Sequence, residues 1–446
     1  MDLLLTHGFF LNEDPKELRV MKPYPPLGIL YLSSHLRERG FDVEIFDSTF
    51  ASRDELYRIL QMGPPSILGI GANLLTRATA IELLRVAKAA GWQVVLGGPE
   101  PPNYAEEYLD CGADVIVQGE AENTLQELLP ALQARRDLSA IPGIIFRDAA
   151  GETIRTPQRS LIQELDRQPW PDRERIGMDQ YLATWRKHHG KGSVSLITAR
   201  GCPYSCAWCS HSTFGRTHRR RSVTGVVDEI AWILDRYAPE MLWIADDVFT
   251  IDHRWLAQFA VEMKARGLKI PFECITRADR MNATVAATLA ELGCFRVWIG
   301  SESGSQKILD AMKRGVTPKQ VRDAVELCRA QGIETGMFLM WGYEGETLDD
   351  IEDTVRHVKD CRPDVFLTTV SYPIKGTTYF TETANRLVHL GDWERSSDRN
   401  IQIQGRHSRR FYQFADQWLK AEMASDASAA AIARAGLEET RQEREA

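Results

Sequence analysis

The sequence predicts an α/β protein with two series of parallel strands. Short apolar runs of strand length alternate with helical-period segments between residues 3 and 133, and a similar series begins at residue 194. Strands that alternate with helices pair in parallel, and helices cover both faces of the sheet. We therefore expect an N-terminal doubly wound parallel sheet, then a partial barrel of about six strand–helix units, and finally a C-terminal helical region.

Composition indicates a globular protein of more than one domain. The chain has 446 residues, with 54 Lys and Arg against 62 Asp and Glu and a net charge of −8. A chain of this length commonly divides into two or more domains. The acidic balance argues against nucleic acid or an anionic membrane as the main partner.

No targeting or membrane segment is predicted. The N-terminus lacks the basic region and the long apolar core of a signal peptide. No run of about 18 apolar residues follows it. We expect no membrane span, a cytoplasmic location and reduced cysteines.

The first series contains five strands separated by amphipathic segments. Two of these segments, over residues 27–39 and 76–90, end at Gly40 and Gly91, which suit the left-handed residue that closes a helix. A hairpin follows, then a polar, proline-broken linker at 165–172. The predicted strands are 3–6, 43–46, 67–70, 94–96 and 115–117, and those of the hairpin are 143–147 and 152–155.

The second series contains six strands, and most are followed by a helical pattern. Thr317-Pro318 and Thr347 to Asp350 have the form of helix starts. Residues 425–446 predict a frayed helix or a disordered tail. The predicted strands are 194–198, 241–245, 272–276, 296–300, 336–340 and 365–370. The predicted divisions are 1–140, a hairpin and linker at 141–190, a barrel at 191–378 and a helical region and tail at 379–446.

Three cysteines follow the first strand of the second series. Cys202, Cys206 and Cys209 lie at its carboxyl end, where parallel barrels build their active sites. Thiolates at this spacing can wrap one face of an iron–sulfur cluster and leave one iron without a protein ligand. A zinc site with His211 as fourth ligand, or a reactive thiol, is the alternative.

The cysteine segment resembles the radical S-adenosylmethionine (SAM) superfamily. Residues 197–201 precede the pattern CxxxCxxC, and the aromatic Trp208 stands before the last cysteine. The resemblance implies a 4Fe-4S cluster on the three cysteines, with SAM bound at the open iron and cleaved to a 5′-deoxyadenosyl radical. It also implies that Tyr204 and Trp208 lie at SAM.

Further segments of the second series match places where the superfamily holds SAM. Asp246 and Asp247 are expected at the amino group of SAM, and a helix cap or a surface pair is the alternative. Arg277 is expected at the carboxylate of SAM, or else in a bridge to Asp279 or Asp246.

Two glycine-containing segments complete the expected SAM site. Ser301 and Glu302 lie in the segment that resembles the superfamily's ribose-binding stretch, where an acidic side chain can accept from ribose hydroxyls. Gly342 and Gly345 match its glycine-rich loop, although Glu344 stands where the family usually has proline. The basic run 218–221 either neutralises SAM or an anionic substrate, or is a solvated helix entry.

The first series resembles the Rossmann-like cobalamin-binding domain that precedes a radical SAM barrel in a large family. The matching segments are 25–32, 97–99 and 118–122. Glycines at the carboxyl ends of its strands allow a bulky, flat ligand to approach the sheet edge. The residues expected at cobalamin are Gly71, Asn73, Gly97, Gly98, Pro99, Gly119 and Glu120.

The residue below cobalt is expected in the loop 71–75. The cobalt-ligating pattern Asp-x-His-x-x-Gly is missing after the first strand, so His7 is not expected as a ligand. A degenerate domain that binds nothing is the alternative. Together, the two resemblances imply a Rossmann-like domain and a partial (β/α)6 barrel of the triosephosphate isomerase type.

The combined resemblance implies a cobalamin-dependent radical SAM methyltransferase. Such an enzyme methylates an unactivated carbon of a small-molecule or lipid-like substrate through a 5′-deoxyadenosyl radical and methylcobalamin. It draws electrons from an external donor such as flavodoxin or ferredoxin. No catalytic residue beyond the cluster and SAM is predicted.

Other functions fit the same sequence. A cyclase, hydroxylase or carbon–carbon bond-forming enzyme shares the architecture, and a cobalamin and iron–sulfur sensor or electron-transfer protein would not cleave SAM. A methylthiotransferase is disfavoured because that family carries extra N-terminal cysteines for a second cluster, whereas Cys111 is the one cysteine of the first series.

The remaining cysteines and the C-terminal aromatic residues are expected to have packing roles. Cys274, Cys294, Cys328 and Cys361 are expected to pack in the core. Four C-terminal aromatic residues are expected either to close the barrel mouth or to join the core: Trp393, Tyr412, Phe414 and Trp418.

Overall fold

The structure is a computed structural model that describes residues 1–445. Within this range the chain forms a seven-stranded sheet, a six-stranded sheet and two short strand pairs. The α/β class and the order of sheet, partial barrel and helical region are confirmed.

The N-terminal sheet has the strand order β2-β1-β3-β4-β5-β6-β7. Its first five strands pair in parallel, because each connection crosses over through helices. The strands are β1 (Leu3–Thr6), β2 (Val43–Ile45), β3 (Ile67–Gly71), β4 (Gln93–Gly97), β5 (Val115–Val117), β6 (Ile144–Arg147) and β7 (Thr153–Arg155). The helices before the barrel are α1 (Glu17–Val20), α2 (Leu27–Arg37), α3 (Arg53–Met62), α4 (Arg77–Ala89), α5 (Ala105–Asp110), α6 (Glu122–Gln133) and α7 (Met178–His189).

Apolar side chains bury both faces of this sheet. Leu3 and Leu5 point to the face covered by α2 and α6, and Leu4 points to the face covered by α3, α4 and α5. Successive strand residues alternate between faces, so one strand supplies both cores. The sheet is therefore doubly wound, as expected.

The hairpin β6–β7 belongs to the N-terminal sheet. Ile145 of β6 pairs with Ile116 of β5 in antiparallel fashion, and both side chains are buried. The hairpin thus extends the sheet to residue 155, beyond the expected division at residue 140. The other divisions of the chain remain proposals.

The second sheet is an open parallel barrel with the order β15-β14-β13-β12-β11-β8. Its strands are β8 (Ser193–Leu196), β11 (Met241–Ile244), β12 (Phe272–Thr276), β13 (Cys294–Glu302), β14 (Glu334–Trp341) and β15 (Val365–Val370). The helices between them are α8 (Val223–Tyr237), α9 (His253–Ala265), α10 (Ala283–Leu292), α11 (Gln306–Ala311), α12 (Pro318–Ala330) and α13 (Leu348–Cys361). Thr347 forms the capping box that the sequence predicts, and Thr317, predicted as a helix cap before Pro318, also forms a capping box.

A short antiparallel pair closes the segment that carries the three cysteines. β9 (Ala199–Arg200) pairs with β10 (Arg219–Arg220). We call residues 201–218, which lie between these strands, the cysteine loop. The pair brings both ends of the loop together at the carboxyl end of β8.

The C-terminal region is more ordered than expected. The sequence predicts a frayed helix or a disordered tail over residues 425–446; the helical alternative is confirmed for residues 427–440, where the helix is packed rather than frayed. They form α16 (Ala427–Thr440), which packs on α15 (Arg409–Met423). Small residues allow this close approach: a side chain at Gly436 would meet the Phe414 ring at 2.4 Å. Ala446 lies outside the described residues.

The remaining short elements complete the C-terminal region and the connections. The helix α14 is Thr378–Thr383, and β16 (Leu387–Val388) pairs with β17 (Gln402–Ile403). The short 3-10 helices are Leu11–Glu13, Pro101–Tyr104, Leu165–Arg167, Arg173–Arg175, Ala278–Arg280, Ala384–Arg386, Trp393–Arg395 and Asp398–Asn400. No helix among residues 1–445 has the length and apolar character needed to cross a bilayer.

The C-terminal aromatic side chains are packed. Tyr412 and Trp418 belong to the barrel core, and Phe414 packs against the same core under α16. Trp393 instead packs on the N-terminal domain, against Tyr104 and Tyr108 with ring centroids 5.4 and 5.1 Å apart. Tyr412, Phe414 and Trp418 are therefore core residues, whereas Trp393 packs outside the barrel core.

Candidate active site: two adjoining cavities

Two cavities lie at the carboxyl ends of the two sheets. The barrel cavity has a volume of about 380 Å³ and is lined by the cysteine loop and the ends of the barrel strands. The sheet-edge cavity has a volume of about 360 Å³ and is lined by the ends of the N-terminal strands. Pro99, Thr213 and Phe214 line both, so the cavities share a wall.

The cysteine loop brings Cys202, Cys206 and Cys209 to the barrel cavity. Gly201 begins the loop with a φ of +85°, and a side chain there would lie 2.6 Å from the Thr217 carbonyl oxygen. Glycine is therefore required where the start of the loop passes the Thr217 backbone. Midway, the Ala207 amide donates to the Met312 carbonyl at 3.0 Å, which fixes the loop to the barrel.

The cysteine side chains fit a 4Fe-4S cluster. All three cysteines line one cavity, and soft thiolates are the ligands that such clusters require. No three His, Cys, Asp or Glu side chains within residues 1–445 converge as around a single metal ion. The zinc alternative with His211 therefore gains no support from the described residues.

Positive charge surrounds Cys206. Nη1 of Arg277 and Nη1 of Arg314 lie 3.8 and 3.7 Å from the Cys206 sulfur. The adjacent Cys209 thiol, with these two guanidiniums, holds the pKa of Cys206 well below its usual range. The structure thus favours the thiolate, which is the form that binds iron.

Five of the residues expected at SAM line the barrel cavity: Tyr204, Trp208, Asp247, Arg277 and Glu302. Burial raises the pKa of Glu302 to about 7. Burial and the neighbouring Asp246 carboxylate raise the pKa of Asp247. Both carboxyls therefore stand in the cavity with an increased tendency to hold a proton.

Asp246 lies behind the wall of the barrel cavity, and its expected contact with SAM stays a prediction. It is 2% exposed, and its Oδ1 accepts from the Thr198 and Ala199 amides at 2.7 and 3.1 Å. Its Oδ2 accepts from the Thr198 hydroxyl and lies 3.6 Å from Arg220. The carboxylate thus anchors the chain that enters the cysteine loop.

Ser301, Gly342 and Gly345 are also outside the lining of the barrel cavity. The Ser301 hydroxyl is buried and hydrogen-bonds His357 Nε2 at 3.2 Å. The Gly342 amide donates to Glu346 at 2.6 Å, and its φ of +71° turns the chain against the Tyr412 ring. The expected contacts of these three residues with SAM stay predictions.

Arg277 also makes the alternative contact that the sequence left open. Its Nε donates to Asp279 at 2.9 Å, and its guanidinium lies 3.6 Å from the centre of the Tyr204 ring. The bridge holds Arg277 in place while another edge of the guanidinium reaches Cys206.

The basic run 218–221 is neither a solvated helix entry nor part of the cavity lining. Arg219 donates to Glu120, Arg221 donates to Glu229, and Arg220 lies 4.4 Å from the centre of the Trp255 ring. All three arginines are largely buried in ion pairs. Their partners are distant in the chain, so the run alone could not reveal them.

Glycines open the sheet-edge cavity. Six of the residues expected at cobalamin line it: Gly71, Gly97, Gly98, Pro99, Gly119 and Glu120. A Cβ at Gly97 or at Gly28 would meet no atom within 4 Å, so both positions leave space that a large ligand can fill. Gly98 has a φ of +106° and passes close to the Ala72 backbone. The cavity fits a bulky, flat group.

Asn73 lies apart from the sheet-edge cavity, and its expected contact with cobalamin stays a prediction. It is exposed and lies outside the cavity lining, and its Oδ1 accepts from the Leu75 and Thr76 amides at 2.8 and 3.3 Å. The loop 71–75 thus turns away after Gly71. His7 hydrogen-bonds Asp47 at 3.0 Å and is likewise absent from the lining.

The sequence missed two arginines at these cavities. Arg314 lines the barrel cavity, and Arg200 lines the sheet-edge cavity between Tyr31 and Phe214, 5.1 and 5.4 Å from their ring centres. Arg200 lies two residues before Cys202, and this proximity to the cysteines could have marked it as a candidate site residue. Nothing local marks Arg314, because tertiary contacts alone bring it to the cysteine loop.

The comparisons with known proteins agree with these two cavities. A family model described as the radical SAM superfamily matches residues 196–358, and one described as the B12 binding domain matches residues 19–129. The uncharacterized methyltransferase PH0819 of Pyrococcus horikoshii is 32% identical over 384 residues, which span 83% of this chain and 81% of that protein. The chain belongs to the family of radical SAM enzymes with an N-terminal cobalamin-binding domain.

More distant relatives share the same arrangement. The anaerobic magnesium-protoporphyrin IX monomethyl ester cyclase of Rubrivivax gelatinosus is 26% identical over 83% of this chain and 68% of that protein. The solved structure of the radical SAM methyltransferase TsrM from Kitasatospora setae superposes with a TM-score of 0.71 at 21% identity, over 86% of this chain and 76% of that one. This likeness shows the fold.

Membership in this family answers several of the questions left by the sequence. The protein is an enzyme, so the alternative of a sensor or electron-transfer protein is set aside. Its cofactors are a 4Fe-4S cluster, SAM and cobalamin. The residues that contact each cofactor remain proposals, which the cavity linings support.

Proposed function

We propose that this enzyme is a cobalamin-dependent methyltransferase that acts on an unactivated carbon of a small-molecule or lipid-like substrate. The wall shared by the two cavities supports the proposal. A substrate carbon beside Pro99, Thr213 and Phe214 is accessible from the barrel cavity and from the sheet-edge cavity. When bound, the cluster and SAM supply hydrogen-atom abstraction and cobalamin supplies methyl transfer.

The protein's own residues orient these groups and exclude water. Ile275 and Phe338 add apolar surface to the floor of the barrel cavity. Arg277 and Arg314 supply positive charge on one side, and the Glu302 carboxyl lies 3.8 Å from Arg314 Nε. A binding site with fixed charges and apolar walls protects a reactive species from solvent.

Product analysis tests the proposal. The anaerobically reconstituted protein is incubated with SAM, a strong reductant and cobalamin, and nucleoside products are separated by chromatography. We expect both 5′-deoxyadenosine and S-adenosylhomocysteine, with the second dependent on cobalamin. Cys202→Ala should abolish 5′-deoxyadenosine, whereas Cys111→Ser, which changes a thiol outside both cavity linings, should not. Absence of S-adenosylhomocysteine would contradict methyl transfer.

A cyclase is the second candidate. One of the relatives described above carries that activity in its name, and the same pair of cavities would suit a reaction without methyl transfer. Production of 5′-deoxyadenosine without S-adenosylhomocysteine would favour this function over the first.

We further propose that an external electron donor such as flavodoxin or ferredoxin docks where the cysteine loop reaches the surface. Cys209 and Ser210 are exposed there, beside a groove of about 260 Å³ that is lined by Arg216, His211 and Thr377. An acidic donor would be attracted by Arg216. Arg216→Glu should slow SAM cleavage driven by flavodoxin but not cleavage driven by dithionite. Equal rates with flavodoxin would contradict this docking site.

The cellular setting is also part of the proposal. We infer a cytoplasmic location, since all eight cysteines are free and reduced thiols persist there. We propose no nucleic-acid partner, because the net charge of −8 opposes binding to phosphate backbones. Retention on a heparin or DNA column at physiological salt would contradict the second inference.

A further inference from the structure

We propose that Arg314 and Arg277 together raise the reduction potential of the iron–sulfur cluster by donating two N–H groups to the sulfur of Cys206. The inference rests on the cluster being held by the three cysteines of the loop. It does not depend on methyl transfer, and it concerns two side chains that reach the same ligand atom from different elements of the barrel.

The two guanidiniums reach the Cys206 sulfur from separate segments of the chain. Arg277 follows β12, and Arg314 follows α11, yet their Nη1 atoms lie 3.8 and 3.7 Å from the same sulfur. The side chains are nearly withdrawn from solvent, at 2% and 7% exposure, and Cys206 is 7% exposed. Charge interactions are stronger in such surroundings than at the surface.

The surrounding contacts hold both guanidiniums in position. Arg277 Nη2 donates to the Arg314 backbone carbonyl at 2.8 Å, which attaches the Arg277 side chain to the segment that carries Arg314. Arg314 Nη2 donates to the Gly300 carbonyl at 2.9 Å. A side chain at Gly300 would lie 2.4 Å from that nitrogen, so glycine leaves the room that Arg314 needs.

The positive charges are only partly compensated. Asp279 pairs with Arg277 at 2.9 Å. Glu302 lies 3.8 Å from Arg314 Nε, and Nε itself is buried without a hydrogen-bond partner in the described part of the chain. Arg314 thus keeps a donor free while Nη1 points at the thiolate.

Hydrogen bonds to the ligating sulfurs and the local net charge set the potential of an iron–sulfur cluster. Reduction adds one electron and hence one negative charge. Two nearby guanidiniums stabilise that added charge, so the reduced cluster is favoured and the midpoint potential rises. Removing one donor should lower the potential and make the cluster harder to reduce.

The test measures the potential directly. Reconstituted wild-type protein, Arg314→Gln, Arg314→Lys and Arg277→Gln are titrated anaerobically, and the reduced cluster is followed by electron paramagnetic resonance without substrate. We expect a more negative midpoint for both glutamine variants and a smaller shift for Arg314→Lys, which keeps the charge but not the geometry. Arg296→Gln serves as the control, because Arg296 pairs with Glu334 at the other end of the barrel.

Unchanged midpoints in Arg314→Gln and Arg277→Gln would overturn the proposal. If the Michaelis constant for SAM rose at the same time, the arginines would be SAM contacts without influence on the cluster. If Arg314→Gln failed to retain iron, Arg314→Lys and Arg277→Gln would decide, and an unchanged midpoint in both would again refute the inference. These potentials are independent of product identity, so a failed methyl transfer leaves the test intact.

Discussion

The ion-pair cluster at Glu120 should control how firmly the cysteine loop is held, and Glu120→Gln tests this directly. Glu120 accepts from Arg200 and from Arg219, each at 2.7 Å, and from the Ile162 amide at 2.7 Å. Arg200 and Arg219 lie in β9 and β10, at the two ends of the loop. The carboxylate therefore attaches both ends of the loop to the N-terminal domain.

The expected cost follows from the burial of these groups. The side chains of Glu120, Arg200 and Arg219 are 4%, 6% and 7% exposed. Breaking a buried ion pair by removing one partner costs about 3 to 5 kcal/mol. Arg200 keeps Glu122 at 2.7 Å, so we expect the lower end of this range, about 3 kcal/mol. That corresponds to roughly a hundredfold change in an opening equilibrium.

Hydrogen exchange measures this opening in the cluster-loaded protein under anaerobic conditions. Amides of residues 199–220 should exchange about a hundredfold faster in Glu120→Gln if exchange is limited by local opening. Glu122→Gln is the matched control, because it leaves Glu120 bridging both arginines, and its effect should be clearly smaller. Equal exchange in wild type and Glu120→Gln would refute the attachment of the loop through Glu120.

Three further changes have defined outcomes. Burial raises the pKa of Glu346 from 4.5 to about 8; the folded state thus favours the protonated form, and the stability this group contributes is lost as pH rises through that range. Glu346→Gln should flatten the decline in the free energy of unfolding between pH 4.5 and about 8, and an unchanged slope in that window would contradict the assignment. Gly97→Val fills open space in the sheet-edge cavity and should reduce cobalamin retention, seen by absorbance, whereas Gly177→Ala should not. Asp398→Asn removes one of the two carboxylates paired with buried Arg77 and should speed proteolysis of residues 387–403; an unaltered cleavage rate would count against that link.

The fold was largely readable from the sequence because its signals are local. Apolar runs define the strands, Thr317 caps the helix that begins at Pro318, and Thr347 forms the capping box that its spacing predicts. The cysteine loop and the glycines of the sheet edge were also readable, since cluster ligation and close ligand approach demand particular residue types. The packing of α16 could not be read from the sequence, because its alanines become a packing surface only when α15 is beside it.

Side-chain direction could not be read in the same way. Asp246 and Asp247 are adjacent, yet one accepts from backbone amides while the other faces the barrel cavity. Arg219 finds Glu120 at a separation of 99 residues. Such partners depend on how two domains meet, and a single sequence carries no local pattern for that.

The shared wall of the two cavities has a consequence for how substrate range can diverge. Thr213 and Phe214 come from the cysteine loop, whereas Pro99 follows β4 of the N-terminal sheet. A lengthened or shortened stretch between residues 210 and 217 would change the thickness of molecule admitted between the cofactors. It would do so without altering a cluster ligand or a glycine of the sheet edge. Diversification within such a scaffold can thus proceed by loop length while the reactive groups stay constant.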